Sequence, residues 1–158
     1  MAATIDTQRW KTDFFDILDE TFEKVNGIYL DRGTSLFETL ATITADEASR
    51  PISSQCASIA AQVYHVRYYL EVLSAYMRGQ PPESLDWPGS WQKVTTVSPE
   101  EWDEQRRQLH ETYRQVRSLF ESLETWNGED ELGGALAIVV HTAYHLGEIR
   151  QGLGVLRG

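Results

Sequence analysis

Apolar residues in this chain return every three or four positions in four separate stretches, and no stretch alternates them one by one. A helix places residues three and four apart on one face, whereas a half-buried strand needs a period of two, so the pattern predicts an all-α chain. The plainest stretch repeats every seven residues through Trp102, Leu109, Val116 and Leu123, with Tyr113 and Phe120 widening the face. Its start is marked by Ser98-Pro99-Glu100-Glu101, a capping box with proline at the first helical position, and it is expected to end near Trp126-Asn127-Gly128.

The other three stretches are read in the same way. The first is predicted over about residues 6–29, on Trp10, Phe14, Ile17, Leu18, Val25 and Ile28, with Gly27 weakening its end. The second should begin at Ser53 or Ser54, carry the seam Ile59, Val63, Val66, Leu70, Leu73 and Met77, and stop at Arg78-Gly79 before Pro81 and Pro82. The last, about residues 131–151, is apolar on nearly every side, which marks a buried helix, and Gly152 and Gly154 are expected to end it. Between the first two, Ser35-Leu36-Phe37-Glu38 and Thr44-Ala45-Asp46-Glu47 each fit a capping box and predict short helical turns. About residues 80–97 read as a long loop holding Trp87 and Trp91, which either pack back on the helices or form an interface. Four long helices with long connections predict a four-helix bundle, one domain over residues 1–158.

Charge narrows the partners. With 24 acidic and 14 basic residues the net charge is −10, which repels phosphate backbones, and no basic cluster offsets it, so no nucleic acid is expected. The single cysteine, Cys56, can form no intramolecular disulfide, which fits a reducing compartment. The first nine residues are polar, with no apolar signal segment, and the longest apolar run, residues 135–140, is far short of the roughly 20 residues a membrane span needs. A cytoplasmic protein that binds no membrane is the expectation.

The chemistry is concentrated in the last stretch. His141-Thr142-Ala143-Tyr144-His145 puts two imidazoles one helical turn apart, with Cβ atoms roughly 5–6 Å from each other. That spacing lets both rings reach one metal ion. The plainer alternative is two unrelated core histidines, but buried imidazoles without partners are costly, and a cation is a ready partner. Two ligands make a weak site. His65, midway along the second stretch, is the candidate for a third, against the plainer reading of a hydrogen-bonded boundary histidine. His110 lies among Arg106, Arg107 and Glu111 and reads as solvated. Cys56 lies nine residues before His65, about half a rotation away on a continuous helix, and reads as packing rather than ligation. Glu148 shares the stripe of His145. It is open to three roles, fourth ligand, orienter or general base, and to the plain one of an exposed carboxylate.

These features together resemble the DinB-like superfamily. The resemblance lies in a histidine in the middle of the second helix (Ala61-Gln62-Val63-Tyr64-His65-Val66-Arg67-Tyr68-Tyr69), a Trp-containing loop after it, and a final helix reading His141-x-x-x-His145-x-Gly147-Glu148-Ile149. Order and spacing match over essentially the whole chain. The resemblance implies a four-helix bundle, a metal site of His65, His141 and His145, and a homodimer. It also implies a divalent metal (zinc, nickel, iron or manganese) and, in members of known activity, thiol-cofactor-dependent transferase or isomerase chemistry. A low-molecular-weight thiol is thus an expected cofactor, with a hydrolase as the other enzyme type and a non-catalytic metal-binding stress-related or interaction protein as the alternative. The position after Gly147 is often glutamine in that family and is Glu148 here, so the charge at the site differs.

Overall fold

The computed structural model describes residues 5–158. Residues 1–4, part of the polar segment considered above for a signal, lie outside it. Seven helices follow in order: α1 (Thr7–Phe22), α2 (Leu36–Leu40), α3 (Ala45–Ser49), α4 (Ile59–Met77), α5 (Trp87–Gln92), α6 (Pro99–Ser122) and α7 (Glu131–Arg157). The described residues contain no strand, so the all-α prediction holds.

The four long helices α1, α4, α6 and α7 share one apolar core, to which each contributes fully buried side chains such as Leu18, Val66, Leu109 and Ile138. Burying one such side chain is worth about 1.5–3 kcal/mol. α4 runs between α6 and α7 and packs along both. The Phe22 ring stacks on Tyr113 at 4.4 Å and joins α1 to α6. Trp102 is 2% exposed, and its indole Nε1 donates to the Ile43 carbonyl at 2.7 Å, fixing the α2–α3 connection against α6.

Helix starts follow the caps. Ser35, Thr44 and Ser98 each form a complete capping box, as their sequence predicts. Five boundaries differ from the sequence reading, each for an identifiable reason. α6 stops at Ser122, not near Trp126-Asn127-Gly128, because Leu123 turns to extended backbone (φ −73°, ψ 118°) and its carbonyl accepts from Lys11 Nζ at 2.9 Å. α1 stops at Phe22 instead of near residue 29, because the Glu20 carboxylate takes the amides of Asn26, Ile28, Tyr29 and Leu30 and bends them into a loop. Gly27, at φ +87°, allows that bend. α4 starts at Ile59, not at Ser53 or Ser54. Its cap is Ser58, whose Oγ accepts from Ala61 N and donates to the Thr95 carbonyl. The segment over residues 80–97 is not all loop. Asp86 caps α5 by accepting from Gly89 N, with proline in its first turn. α7 passes through Gly152 and Gly154 to Arg157. Gly152 is there because Ile52 packs against the bare backbone, where a Cβ would collide with Ile52 Cδ1.

Candidate metal centre

The packing of α4 along α7 brings three imidazoles together. His65 comes from α4 and His141 and His145 from successive turns of α7. Ring centroids lie 5.2 Å apart for His65–His141, 5.1 Å for His65–His145 and 4.5 Å for His141–His145. One nitrogen from each ring lies within 4.8 Å of the other two. Two nitrogens on one tetrahedral ion, each bonded at roughly 2.0–2.1 Å, sit about 3.3 Å apart. Small ring rotations bridge the difference.

The surrounding hydrogen bonds decide which nitrogens carry protons. The Ser90 hydroxyl donates to the Trp87 carbonyl at 2.6 Å. Its oxygen therefore accepts from His65 Nδ1–H at 2.7 Å, which leaves the Nε2 lone pair free. His145 Nδ1 faces two acceptors, Glu148 Oε2 at 2.9 Å and Gln62 Oε1 at 3.3 Å, so it too is the protonated nitrogen. His141 Nε2 is buried and has no hydrogen-bond partner among the described residues. Two rings held through Nδ1, beside a third whose buried Nε2 has no partner among the described residues, fit the support pattern that metal-ligating histidines need. A buried polar atom without a partner costs about 1–3 kcal/mol. A cation would meet that need, so the residues present fit a divalent metal.

Electrostatics agree. Burial first, then the neighbouring imidazole of His145, holds His65 at about 4, against a smaller upward pull from Glu148. Burial, then His145 and His65, holds His141 at about 3. Burial lowers His145 as well, opposed by Glu148. All three rings are neutral at pH 7, the form that ligates.

Aromatic rings wall the cluster. Tyr69 stacks on His141 at 3.6 Å and Trp91 on His65 at 3.9 Å, while Trp87 meets His65 edge-on at 6.3 Å. Of the two fates open to the loop tryptophans, these two take packing, and they pack on the site. Beyond Trp91 lies an open groove of about 680 Å³. Gln62, Trp91 and Glu148, which touch the histidines, are among its walls, and none of the three histidines lines it.

The structure therefore gathers His65, His141 and His145 and sorts the other candidates. Glu148 accepts from His145 Nδ1 and is not among the three groups close enough to share an ion, so of its open roles the geometry matches the orienter. His110 is not a freely solvated side chain: Phe37 of α2 covers it, with ring centroids 4.4 Å apart. Cys56 is exposed and precedes α4, so the helical rotation used to set it aside does not apply. It still lies outside the cluster. Sequence reasoning missed Gln62, Tyr69, Trp91 and Ser90 as supports. Gln62 and Tyr69 were findable, three before and four after His65 and hence on its face of α4. Ser90 carries no such signal, because α5 is placed against His65 only by tertiary folding.

A metal-independent role for the cysteine gives a direct check. Cys56→Ser should leave metal content unchanged, within about a tenth of an ion per chain, as read by elemental analysis alongside circular dichroism. Loss of metal with the helices intact would make the thiolate a ligand.

The DinB superfamily matches this chain over residues 29–149, a span that holds all three histidines. The chain belongs to the DinB superfamily. No curated protein and no solved structure matches it. No helix among the described residues is long and apolar enough to cross a membrane.

Proposed function

We propose that this chain is a divalent-metal protein of the DinB superfamily whose ion is held by His65, His141 and His145, and that it is a metal-dependent enzyme. The observation that carries the reading is the buried Nε2 of His141, without a partner among the described residues, beside two rings whose hydrogen bonds at Nδ1 leave their own Nε2 atoms unprotonated. Three neutral imidazoles leave a coordination position open, the arrangement of catalytic rather than structural sites. A bound ion supplies Lewis acidity there, suited to a thiol-dependent transferase or isomerase or to a hydrolase, and imidazoles accept zinc, nickel, iron or manganese. The protein's own part is positional. Ser90 fixes the His65 ring, Glu148 and Gln62 fix His145, and Tyr69 and Trp91 keep water from the ring faces.

A second reading, a metal holder without turnover, is favoured by one observation: the groove beside the site is not lined by any of the three histidines. Both readings require about one ion per chain, since three histidines make one site. Elemental analysis of protein purified without an affinity tag measures this, and metal-free protein that cannot be reconstituted would sink both. Adding azide to cobalt-loaded protein then separates them. A change in the visible spectrum shows the exchangeable position an enzyme needs, and an unchanged spectrum favours the holder.

A homodimer accompanies this reading. Leu132, Leu136, Val140 and Tyr144 lie at successive turns of α7, and Val140 and Tyr144 are 66% and 62% exposed. On a chain of net charge −10, this uncharged stripe is where a second copy can approach without like-charge repulsion. Light scattering should give a dimer at micromolar concentration, and Val140→Glu should weaken it at least tenfold. A wild-type monomer at high micromolar concentration refutes it.

A further inference from the structure

We propose that the groove beside the histidine cluster is the binding site for an uncharged small molecule with a largely apolar body, and that it discriminates against anions. The proposal deepens the metal-centre reading by naming the class of ligand that the neighbouring site receives. The groove's volume, about 680 Å³, falls within the range of small-molecule sites, roughly 300–1,000 Å³. Its walls have a consistent chemistry. Ile52, Trp91 and Val155 supply apolar surface, and Gln55 and Gln151 supply neutral hydrogen-bonding groups. Among the described residues the one charged wall residue is Glu148, with no lysine or arginine beside it.

A carboxylate is an acceptor only, so it welcomes a hydroxyl, amine or thiol hydrogen and repels a phosphate, sulfonate or carboxylate. The remaining charge of the chain, −10 in total, adds to that repulsion. Among thiols the groove therefore selects uncharged ones. The groove's position gives its occupancy a consequence. Glu148 and Gln62 belong both to the groove and to the hydrogen bonds that hold His145, so a ligand there sits directly behind a ring of the cluster.

Two fluorophores that share a skeleton test the charge rule. N-phenylnaphthylamine is uncharged with one N–H, and anilinonaphthalenesulfonate adds only a sulfonate. Titrations use the full chain, once metal-free and once with zinc. The expected result is one N-phenylnaphthylamine per chain, bound at least tenfold more tightly than the sulfonate in both forms. Gln151→Trp, a change at an exposed wall position, should weaken the neutral dye at least tenfold, and Gln151→Lys should raise affinity for the sulfonate at least fivefold. Circular dichroism checks that both variants keep their helices. Equal affinity for the two dyes in wild type, or unchanged dye binding in both variants, overturns the proposal. Because the metal-free form is measured, a failure to bind zinc would count against the metal centre alone, and a failure to bind dye against the groove alone.

Discussion

Replacing Glu20 with glutamine should destabilise the protein by about 3 kcal/mol or more, although Glu20 lies far from the histidine cluster in sequence and takes no part in it. Its side chain is fully buried, and its two oxygens accept from the backbone N–H groups of Asn26, Ile28, Tyr29 and Leu30 at 2.6–3.0 Å. Glutamine keeps one acceptor and turns an NH2 group toward donors, so either the Asn26 amide or those of Tyr29 and Leu30 lose their partner, and the remaining bonds lose the carboxylate charge. Hydrogen bonds to a charged group contribute about 1.5–3 kcal/mol each, and the loss is only partly relieved by water entering the loop. For a domain of this size the melting temperature should fall by roughly 6–12 °C, at about 2–4 °C per kcal/mol. The pH dependence has a definite sign. Burial alone would raise the Glu20 pKa, but the four backbone donors outweigh it and hold it at about 2, below its ordinary value of 4.5. A depressed folded-state pKa contributes stability that is fully present above about pH 4.5 and is lost as pH falls toward about 2. Urea unfolding of both forms measures this. A wild type and Glu20→Gln of equal stability at pH 7 would mean the loop is held by something else.

The same residue shows where the sequence stops being legible. Periodicity carried the first helix on to Val25 and Ile28, and both residues do continue the apolar spacing. What ends α1 is a carboxylate on its buried face capturing amides six to ten residues ahead, and no local pattern announces that. Caps that act over three residues, at Ser35, Thr44 and Ser98, were legible because donor and acceptor are both in the motif. Ser58 was not, since its hydroxyl also serves Thr95 across a connection. The histidine cluster divides in the same way. The pair on α7 follows from helical geometry. His65 joins it only through the packing of α4 on α7; its place midway along the second stretch made it a candidate, and the resemblance to a family then implied the full set. Gly152 was misread because glycine marks a helix end only when its backbone needs freedom; here it leaves room for Ile52.

In His65→Ala, removing metal should have little further effect on stability, whereas EDTA should lower the wild-type melting temperature by roughly 5–10 °C. His141 and His145 share α7, so an ion on those two alone joins nothing to anything else. His65 stands on α4, and a third bond from it would tie α4 to α7 across the core. An ion that binds only the folded state stabilises it by about 2.7 kcal/mol at a hundredfold excess over Kd, and two imidazoles without the third bind far more weakly. The comparison is the change produced by chelator within each protein. The substitution also removes a buried ring that stacks on Trp91 and donates to Ser90, which lowers the starting stability by itself. Acid should act in the same direction. Free imidazoles protonate near pH 6.5, and the folded chain holds His65 at about 4 and His141 at about 3. The neutral rings therefore contribute stability that is complete above about pH 6.5 and is lost as pH falls through about 4 and then 3. Bound metal competes with those protons, so the chelator effect should persist to somewhat below pH 6.5 and then vanish. Equal chelator shifts in wild type and His65→Ala at neutral pH would remove His65 from the ligand set, and with it the three-histidine centre.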